Sequence, residues 1–481
     1  MPVTTNASPE AKALLQFLYS IDGKFTLTGQ HNFPAAADKN SKFAAHYSGK
    51  TPVVFGTDFG FAKAGDKDSH LLRESLVKEA ERQYKMGAIV ALCWHAVPPT
   101  ANEPVTFQPL PGADPANLAS VQGQLTDQQF KDVLTPGTEL YNKWAAQVDS
   151  IAFYLKKLQV AHVPVLWRPY HEMNGNWFWW GNRVGQYSTQ ALYRQMFDRF
   201  VKFHKLNNLI WVWSVDRPSK PGMEFEKYYP GDKYLDIVAL DVYGSDFKQD
   251  YYDQLVSLSK GKPLALAEVG NPPSSEILGS QPRWGFWMIW AGMVRNTTKK
   301  QYEAFANNPR ILGLNDAAYI DRINPFRVRA RLSPLPLITP ADFNGEWVLN
   351  EDKSNLNAGG TANLSERLTI AQSGDELHLR RLYTDEWSEP QVRVEKLKLD
   401  GRDIKAEGVE RITTAKLSGQ SDTLSITFKL KMNFGGQSFL IKTSEIWNLQ
   451  NKNKELHVIQ TTSSPRGETR VTLVYDRISY Q

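Results

Sequence analysis

Up to about residue 330, short apolar runs alternate with longer stretches in which apolar residues recur every three or four positions. The short runs predict buried strands, and the longer spacing predicts amphipathic helices. Helical stretches at 71–87, 138–159 and 188–207 each precede a predicted strand. The eight predicted strands are 24–31, 52–59, 88–95, 163–172, 209–215, 236–243, 263–270 and 285–292.

This alternation of strands and helices determines the predicted fold class. Strands that alternate with helices pair in parallel through right-handed crossovers. Eight such units predict an α/β protein with a (β/α)₈ TIM barrel. An open doubly wound sheet is the alternative fold. It would carry a glycine-rich phosphate-binding turn after the first strand, whereas residues 29–32 read Gly-Gln-His-Asn.

The last third of the chain has a different pattern. Residues 331–341 are rich in proline and predict a linker between a barrel domain at 1–330 and a second domain at 342–481. The second domain consists of short segments with alternating apolar and polar residues, separated by turn sequences such as SGD and LDGRD. This pattern predicts an all-β antiparallel barrel or sandwich of eight to ten strands.

Composition narrows the class of protein. A formal charge of +5 over 481 residues, without a dense basic run, gives no reason to expect nucleic acid as a partner. One cysteine, Cys93, excludes an internal disulfide, and no apolar stretch is long enough to span a bilayer. The fourteen tryptophans suit either large aromatic cores or a protein that stacks on the flat faces of sugar rings.

Within the predicted strands, residues two apart point to the same face. Four strands carry series that begin apolar and end polar, as expected of a barrel with a packed lower interior and a reactive upper rim. The series are Ala91, Cys93, His95; Leu166, Arg168, Tyr170, Glu172; Ile237, Ala239, Asp241, Tyr243; and Leu264, Leu266, Glu268.

Two carboxylates stand out among these residues. Glu172 and Glu268 are 96 residues apart, close to the roughly 93 residues that three barrel units occupy. We therefore expect them on strands four and seven, facing each other across a cleft. Such a pair can cut a glycosidic bond when one acid is protonated and the other ionised. Either glutamate alone would more readily be a solvated residue or an ion-pair partner.

A metal site is not expected around the same residues. His171 and Glu172 resemble the start of a zinc-binding HExxH motif, but Gly175 occupies the fifth position and a strand end replaces the required helix. We therefore predict no metal and no organic cofactor.

The segment RPYHEMNGNWFWWG resembles the signature of glycoside hydrolase family 26, the retaining β-mannanases with a (β/α)₈ fold. The resemblance covers roughly residues 10–325 and includes LTGQH, LDVYG and LAEVG in the matching order. It implies that Glu172 is the general acid/base and Glu268 the nucleophile. It further implies positioning roles for Arg168, His171, Asp241 and Tyr243, and places His95, Trp177 and Trp290 in the subsite walls.

Two further expectations concern regions around the barrel. Residues 98–138 resemble an extended loop over the cleft that could reshape the substrate groove. The tail, with segments such as FNGEWVLNEDKSNL and KTSEIWNL, resembles a lipocalin-like β domain of secreted bacterial proteins.

The expected function is that of a retaining endo-β-1,4-mannanase acting on mannan, glucomannan or galactomannan. The alternatives are the same mechanism on β-1,3-xylan or mixed-linkage β-glucan, and a non-catalytic carbohydrate-binding protein. A polysaccharide is the expected partner of a monomeric protein that is secreted, periplasmic or on the cell surface.

Overall fold

The structure is a computed structural model of the full chain. It describes residues 1–60, 69–103, 105, 120–336, 341–356, 364–373, 376–385, 388–405, 410–417, 423–434, 437–451, 453–465 and 467–478. The chain divides into two compact units, Met1–Leu337 and Ile338–Gln481. The domain limits at 330 and 342 stay predictions.

Parallel strands form a closed barrel in the first unit, which confirms the predicted TIM-barrel fold. Strand β9 pairs with β8 on one side and with β1 and β2 on the other, so the sheet returns to its beginning. The strands are β1 Thr26–Leu27, β2 Gly29–His31, β3 Val54–Asp58, β4 Ile89–Trp94, β5 Val165–Pro169, β6 Leu209–Asp216, β7 Ile237–Val242, β8 Leu264–Val269, β9 Trp284–Ile289 and β10 Ile311–Leu312.

Helices surround this barrel, and several begin where a hydroxyl side chain caps the first turn. Ser188 and Thr138 accept hydrogen bonds from backbone N–H groups of the helices that follow them. The helices are α1 Pro9–Ile21, α2 Lys39–Ser48, α3 Arg73–Lys85, α4 Asp127–Val133, α5 Glu139–Val160, α6 Thr189–Asp198, α7 Gln249–Ser259, α8 Ser275–Ser280, α9 Lys299–Ala306 and α10 Ala317–Arg329.

The apolar strand residues divide between two environments. Small and medium side chains, among them Ala91, Leu166 and Ala267, line a narrow cavity inside the barrel. Large side chains on the other face, including Trp211 and Trp213, are fully buried in the core that the strands share with the helices. This division leaves polar side chains to occupy the interior only at the upper end of the barrel.

The strand predictions differ from the structure in three places. The eighth predicted strand, 285–292, ends at Ile289. The first predicted strand consists of two short pieces, β1 and β2, and the additional strand β10 pairs with β1. The fourth predicted strand, 163–172, ends at Pro169 instead. Proline has no N–H to continue the ladder, and Tyr170 adopts a left-handed backbone conformation with φ of 46°.

In the described part of the second unit, ten strands form an antiparallel barrel in which consecutive strands pair, except β14 with β15. Strand β11 also pairs with β20, and β14 and β15 at the two edges of the sheet are separated only by Leu399, so the barrel is nearly closed. The strands are β11 Gly345–Leu349, β12 Arg367–Ser373, β13 Glu376–Asp385, β14 Ser388–Lys398, β15 Asp400–Lys405, β16 Arg411–Leu417, β17 Thr423–Phe434, β18 Gln437–Gln450, β19 Glu455–Ser464 and β20 Gly467–Arg477.

This second barrel has its own core. Trp347 and Trp447 are fully buried within one apolar cluster. Arg381, which is also buried, donates to both carboxylate oxygens of Glu445 at 3.2 and 2.7 Å, so its charge is paired. Across the described part of the chain, no helix is both long and apolar enough to cross a membrane.

Candidate active site

Three charged side chains from neighbouring strands meet at the upper end of the first barrel. Arg168 on β5 donates from Nη1 to Asp241 on β7 at 2.7 Å and from Nη2 to Glu268 on β8 at 2.6 Å. Asp241 also accepts from the Ser214 hydroxyl at 2.6 Å. All four side chains are buried. Arg168 therefore fixes the positions of both carboxylates and offsets their mutual repulsion.

Glu268 reaches this level because β8 contains a bulge. Leu240 pairs with Leu266 but the next residue, Asp241, pairs with Glu268, which leaves Ala267 as an extra residue. Ala267 lines the internal cavity, whereas Leu266 belongs to the core shared with the helices. The predicted common face of the two leucines and Glu268 is therefore wrong, because the bulge interrupts the alternation between faces.

Glu172 lies beyond the end of β5, so strand alternation does not determine its direction either. Tyr170 and Glu172 have positive φ angles of 46° and 52°. The Tyr170 hydroxyl accepts a hydrogen bond from the indole N–H of Trp144 on α5 at 2.9 Å, which places Tyr170 in the outer core. The prediction that Tyr170 shares a face with Arg168 is wrong, whereas Glu172 does lie beside the carboxylates that Arg168 binds, although it follows the end of the strand.

The loop after β5 holds Glu172 by several contacts. Its N–H donates to the Ser214 carbonyl at 3.0 Å, and its carbonyl accepts from the Gly175 N–H at 2.9 Å. The Trp177 indole N–H donates to Glu172 Oε2 at 2.6 Å. A Cβ atom at position 175 would lie 2.2 Å from the Trp177 ring. Glycine is therefore required there for the indole to reach the carboxylate.

Glu172, Asp241 and Glu268 each place one carboxylate oxygen within 4.8 Å of the others. Burial raises the pKa of Glu172 well above its ordinary value, and the charges of Glu268 and Asp241 raise it further. Glu268 accepts hydrogen bonds from Arg168 and from the Tyr243 hydroxyl. The two glutamates thus lie close together, with Glu268 hydrogen-bonded to a guanidinium and Glu172 to an indole N–H.

Asp241 is the third acid of this group. Burial raises its pKa to about 8, against the opposing effect of the Arg168 guanidinium. The pKa of Tyr243 is also raised well above its ordinary value, by burial and by the neighbouring charge of Glu268. Tyr243 therefore remains a hydroxyl donor at neutral pH.

A second group of buried polar residues lies beside the carboxylates. His95 donates its backbone N–H to Asp58 Oδ1 at 3.1 Å, and its Nδ1 contacts Asp58 Oδ2. Asp58 accepts further hydrogen bonds from the Gly60 N–H at 2.6 Å and the Cys93 thiol at 3.1 Å. Burial opposes ionisation of Asp58, but the charge and hydrogen bond of His95 outweigh it and lower the pKa of this carboxyl.

The remaining rings of the site pack against His95. Its ring centroid lies 4.6 Å from that of His171 and 5.7 Å from that of Trp290, which in turn lies 4.0 Å from His31. Burial lowers the pKa of His171 well below its ordinary value, and that of His31 to about 3. Both imidazoles are therefore neutral at physiological pH.

The aromatic run at 177–180 divides between site and core. Trp177 is half-buried and contacts Glu172, whereas Phe178, Trp179 and Trp180 are buried. Trp179 donates to the Ala96 carbonyl at 2.8 Å, and Trp180 to the His171 carbonyl at 2.9 Å. Most of this run therefore packs the loop that carries Glu172, and one indole lies beside the carboxylate.

Comparison with known families identifies the first unit. The sequence pattern of "Glycosyl hydrolase family 26" matches residues 3–311, which is more than half of the chain. The chain belongs to glycosyl hydrolase family 26. The resemblance inferred from the strand-four segment is thereby confirmed.

Individual relatives of this family 26 chain agree with the match. It is 32% identical over 315 residues to a mannan endo-1,4-beta-mannosidase of Thermothelomyces thermophilus, covering 64% of this chain and 59% of the relative. Among solved structures, GH26A from Muricauda sp. is 41% identical with a TM-score of 0.59, covering 65% of this chain and 98% of the other. The Podospora anserina GH26-CBM35 beta-(1,4)-mannanase is 27% identical with a TM-score of 0.55, covering 68% and 69%.

The chain spans about half the length of the first curated relatives it matches, between 45% and 59%. One predicted feature of the family 26 domain is only partly described. The extended loop at 98–138 includes residues 104 and 106–119, which lie outside the described residues, and its described part contains α4.

All nine predicted site residues lie in one region of the family 26 barrel. Hydrogen bonds connect Arg168, Asp241, Glu268 and Tyr243 with one another, and Trp177 with Glu172. His95, His171 and Trp290 form the adjoining ring cluster. The sequence analysis missed Asp58 and Ser214. Asp58 ends β3 at the same level as His95, so its position at a strand end was the signal that could have found it. Ser214 gave no comparable signal.

Proposed function

We propose that this chain is a retaining endo-β-1,4-mannanase in which Glu268 is the nucleophile and Glu172 the general acid/base. The observation that carries the proposal is the set of carboxylate oxygens within 4.8 Å of one another. Retaining glycosidases hold their two carboxyl groups about 5–5.5 Å apart, whereas inverting enzymes need about 6.5–9.5 Å to admit a water molecule between acid and base.

In the first step, an ionised Glu268 oxygen attacks the anomeric carbon of a mannosyl unit. Glu172 transfers its proton to the glycosidic oxygen as the bond between that oxygen and the anomeric carbon breaks. The products are a mannosyl ester of Glu268 and a shortened chain with a new hydroxyl group. The transition state resembles an oxocarbenium ion, which the negative charge of Glu268 stabilises.

In the second step, ionised Glu172 removes a proton from a water molecule that attacks the anomeric carbon. The ester bond to Glu268 breaks, the sugar is released with its original configuration, and both glutamates return to their starting states. The raised pKa of Glu172 supports this assignment, because an acid that serves twice must exchange its proton near neutral pH.

In this proposal, the neighbouring residues orient the two glutamates or contact the sugar. Arg168 and Tyr243 hydrogen-bond to Glu268 and hold it oriented for attack. Asp241 shares Arg168 with Glu268 and so fixes the guanidinium. We assign His171 a positioning role beside Glu172. His95, Trp177 and Trp290 are proposed to contact the sugar on either side of the cleavage point.

The names of the relatives support mannan as the substrate, because seven of the curated relatives carry the name mannan endo-1,4-beta-mannosidase. Mixed-linkage β-glucan is the second candidate. It is favoured by a 32% identity over 135 residues to a relative named Endoglucanase H. A non-catalytic binding protein is disfavoured by the paired glutamates, which are costly to bury without a chemical role.

Digestion of galactomannan, glucomannan, β-1,3-xylan and lichenan in parallel tests the substrate. We expect mannan-type polymers to yield a ladder of short oligosaccharides, with the β-configuration at the new reducing end in early NMR spectra. Glu268→Ala should reduce turnover by at least about 10³-fold, by analogy with loss of other catalytic nucleophiles. Full activity of this variant, or an early product of α-configuration, would refute the mechanism.

Because a polysaccharide of this kind is encountered outside the cytoplasm, we propose that the protein acts as a monomer after secretion or at the cell surface. Fractionation of the native host tests the location, and sedimentation of the purified chain tests the oligomeric state. Activity confined to the cytoplasm, or a stable dimer at micromolar concentration, would contradict the two parts of this proposal separately.

A further inference from the structure

A polar groove lies beside the active-site loop, between the start of α4 and residues 181–187, which precede α6. Its volume is about 640 Å³, within the range of small-ligand sites. We call it the α4 groove. Its lining includes Gln124, Gln128, Lys131, Asn182, Gln186 and Tyr187.

The chemistry of the α4 groove suits a neutral ligand with many hydroxyl groups. Four of its residues are glutamines or an asparagine, whose amides both donate and accept hydrogen bonds. Tyr187 exposes 36% of its surface and offers an amphipathic ring. The charged residues Asp127 and Arg183 pair with each other at 2.6 Å. Lys131, whose ammonium group lies 5.5 Å from the centre of the Tyr187 ring, adds one positive charge to the lining. The groove therefore presents mainly amides and a phenol ring, with one ammonium group among them.

The loop that carries Glu172 also contacts residues of the α4 groove. Gln124 donates to the Asn176 carbonyl at 3.0 Å, and Asn176 immediately precedes Trp177, which contacts Glu172. On the other wall, the Asn182 N–H donates to the Met173 carbonyl at 2.9 Å. The loop that presents Glu172 on one side thus forms part of the α4 groove on the other.

The groove is held open by contacts that do not depend on a ligand. Arg183 stacks on Phe130 at 4.5 Å and donates to the Leu125 carbonyl, and Thr126 caps α4 through a reciprocal pair of hydrogen bonds with Gln129. These contacts fix the backbone on both walls. Binding would therefore cost little in ordering of the protein, which is the condition for useful affinity at an open site.

We propose that the α4 groove binds sugars of a β-linked polysaccharide that lie beyond those at the cleavage point. This inference rests on the proposed function, because it assigns the groove to the same polymer that the carboxylates cleave. The groove should then affect only chains long enough to reach it from the cleavage point.

The test compares the wild type with a Gln186→Ala, Tyr187→Ala double variant on manno-oligosaccharides of increasing length and on polymeric mannan. Tyr19→Ala is the matched control, because Tyr19 is 42% exposed and lies on α1, outside the groove. We expect the double variant to lose less than about twofold in kcat/KM on the shortest substrate cleaved. On the polymer we expect a loss of at least about fivefold, mainly through KM. The control should match the wild type at every length.

An equal loss at all lengths would overturn the inference, because it would mean that the two residues only support the active-site loop. No loss at any length would overturn it as well. If the wild type cleaves none of the polymers, the proposed function fails. The proposal for the α4 groove is then tested by polysaccharide binding alone. Retardation of the wild type in gels containing mannan or lichenan, abolished in the double variant, would then support the groove. Equal retardation of both proteins, or none, would overturn it.

Discussion

The hydrogen bond from Trp177 to Glu172 gives a prediction whose sign follows from the structure. Trp177→Phe keeps a ring of similar shape but removes the indole N–H that lies 2.6 Å from Glu172 Oε2. This donor stabilises the ionised carboxylate and so lowers the pKa of Glu172, against burial and the charge of Glu268, which raise it. Its loss should therefore raise the pKa of Glu172 further.

The magnitude follows from the strength of such a bond. A hydrogen bond to a charged group contributes about 1.5–3 kcal/mol, and one pKa unit corresponds to 1.36 kcal/mol. This gives a shift of about one to two units. Trp177 is half-buried, so water can replace part of the lost bond, and we expect a value near the lower end, about one unit.

The assay is the pH dependence of kcat/KM on a short manno-oligosaccharide, which reports the pKa values of the free enzyme. In the proposed mechanism Glu172 must be protonated to start the reaction, so activity falls as pH rises through its pKa. The alkaline limb of Trp177→Phe should thus move upward by about one unit, whatever happens to KM. Trp290→Phe is the control, because this ring packs on His31 and should leave the limb in place. An unchanged or lowered limb in Trp177→Phe would refute the reasoning.

Three further predictions concern other parts of the molecule. Arg168→Met leaves two buried carboxylates without their cation and should lower the free energy of unfolding by about 3–5 kcal/mol at pH 7. Urea unfolding at pH 7 checks it. Asp58→Asn should weaken the hydrogen bond between this residue and the His95 ring. We expect it to lower the free energy of unfolding by about 1.5–3 kcal/mol, measured in the same way. Removal of 338–481 should leave a folded barrel, seen as a retained cooperative thermal transition by circular dichroism, because each unit has its own core.

The strands were predictable because burial dictates their composition. A strand of a parallel barrel is covered on both faces, so β4 reads as a continuous apolar run. Strands β6 and β8 are apolar up to Ser214 and Glu268 near their C-terminal ends. The split of the first strand into β1 and β2 was not predictable, because Gly29 approaches the Trp287 carbonyl too closely for any Cβ atom and this contact exists only in the folded barrel.

Site residues within regular strands were easier to predict than a residue whose role depends on a distant partner. Arg168 and Asp241 lie within regular strands, so counting by twos gave both the residues and their direction. Asp58 was missed although it also ends a strand, because its importance comes from the histidine it binds rather than from its own exposure to the cleft. A partner that is distant in sequence leaves no local pattern.

The catalytic roles of the two glutamates stay predictions, and the strand alternation that first pointed to them does not hold in the structure. Strict alternation would place Glu268 with Leu266 in the outer core, and only the extra residue at Ala267 turns it inward. Glu172 likewise depends on a left-handed backbone conformation that is unfavourable for residues other than glycine. Both departures from regular geometry occur at the level of the carboxylates, where strain is tolerated because it serves the site. The family resemblance named these residues without that geometry, since a signature records which residues are retained and not how the backbone presents them.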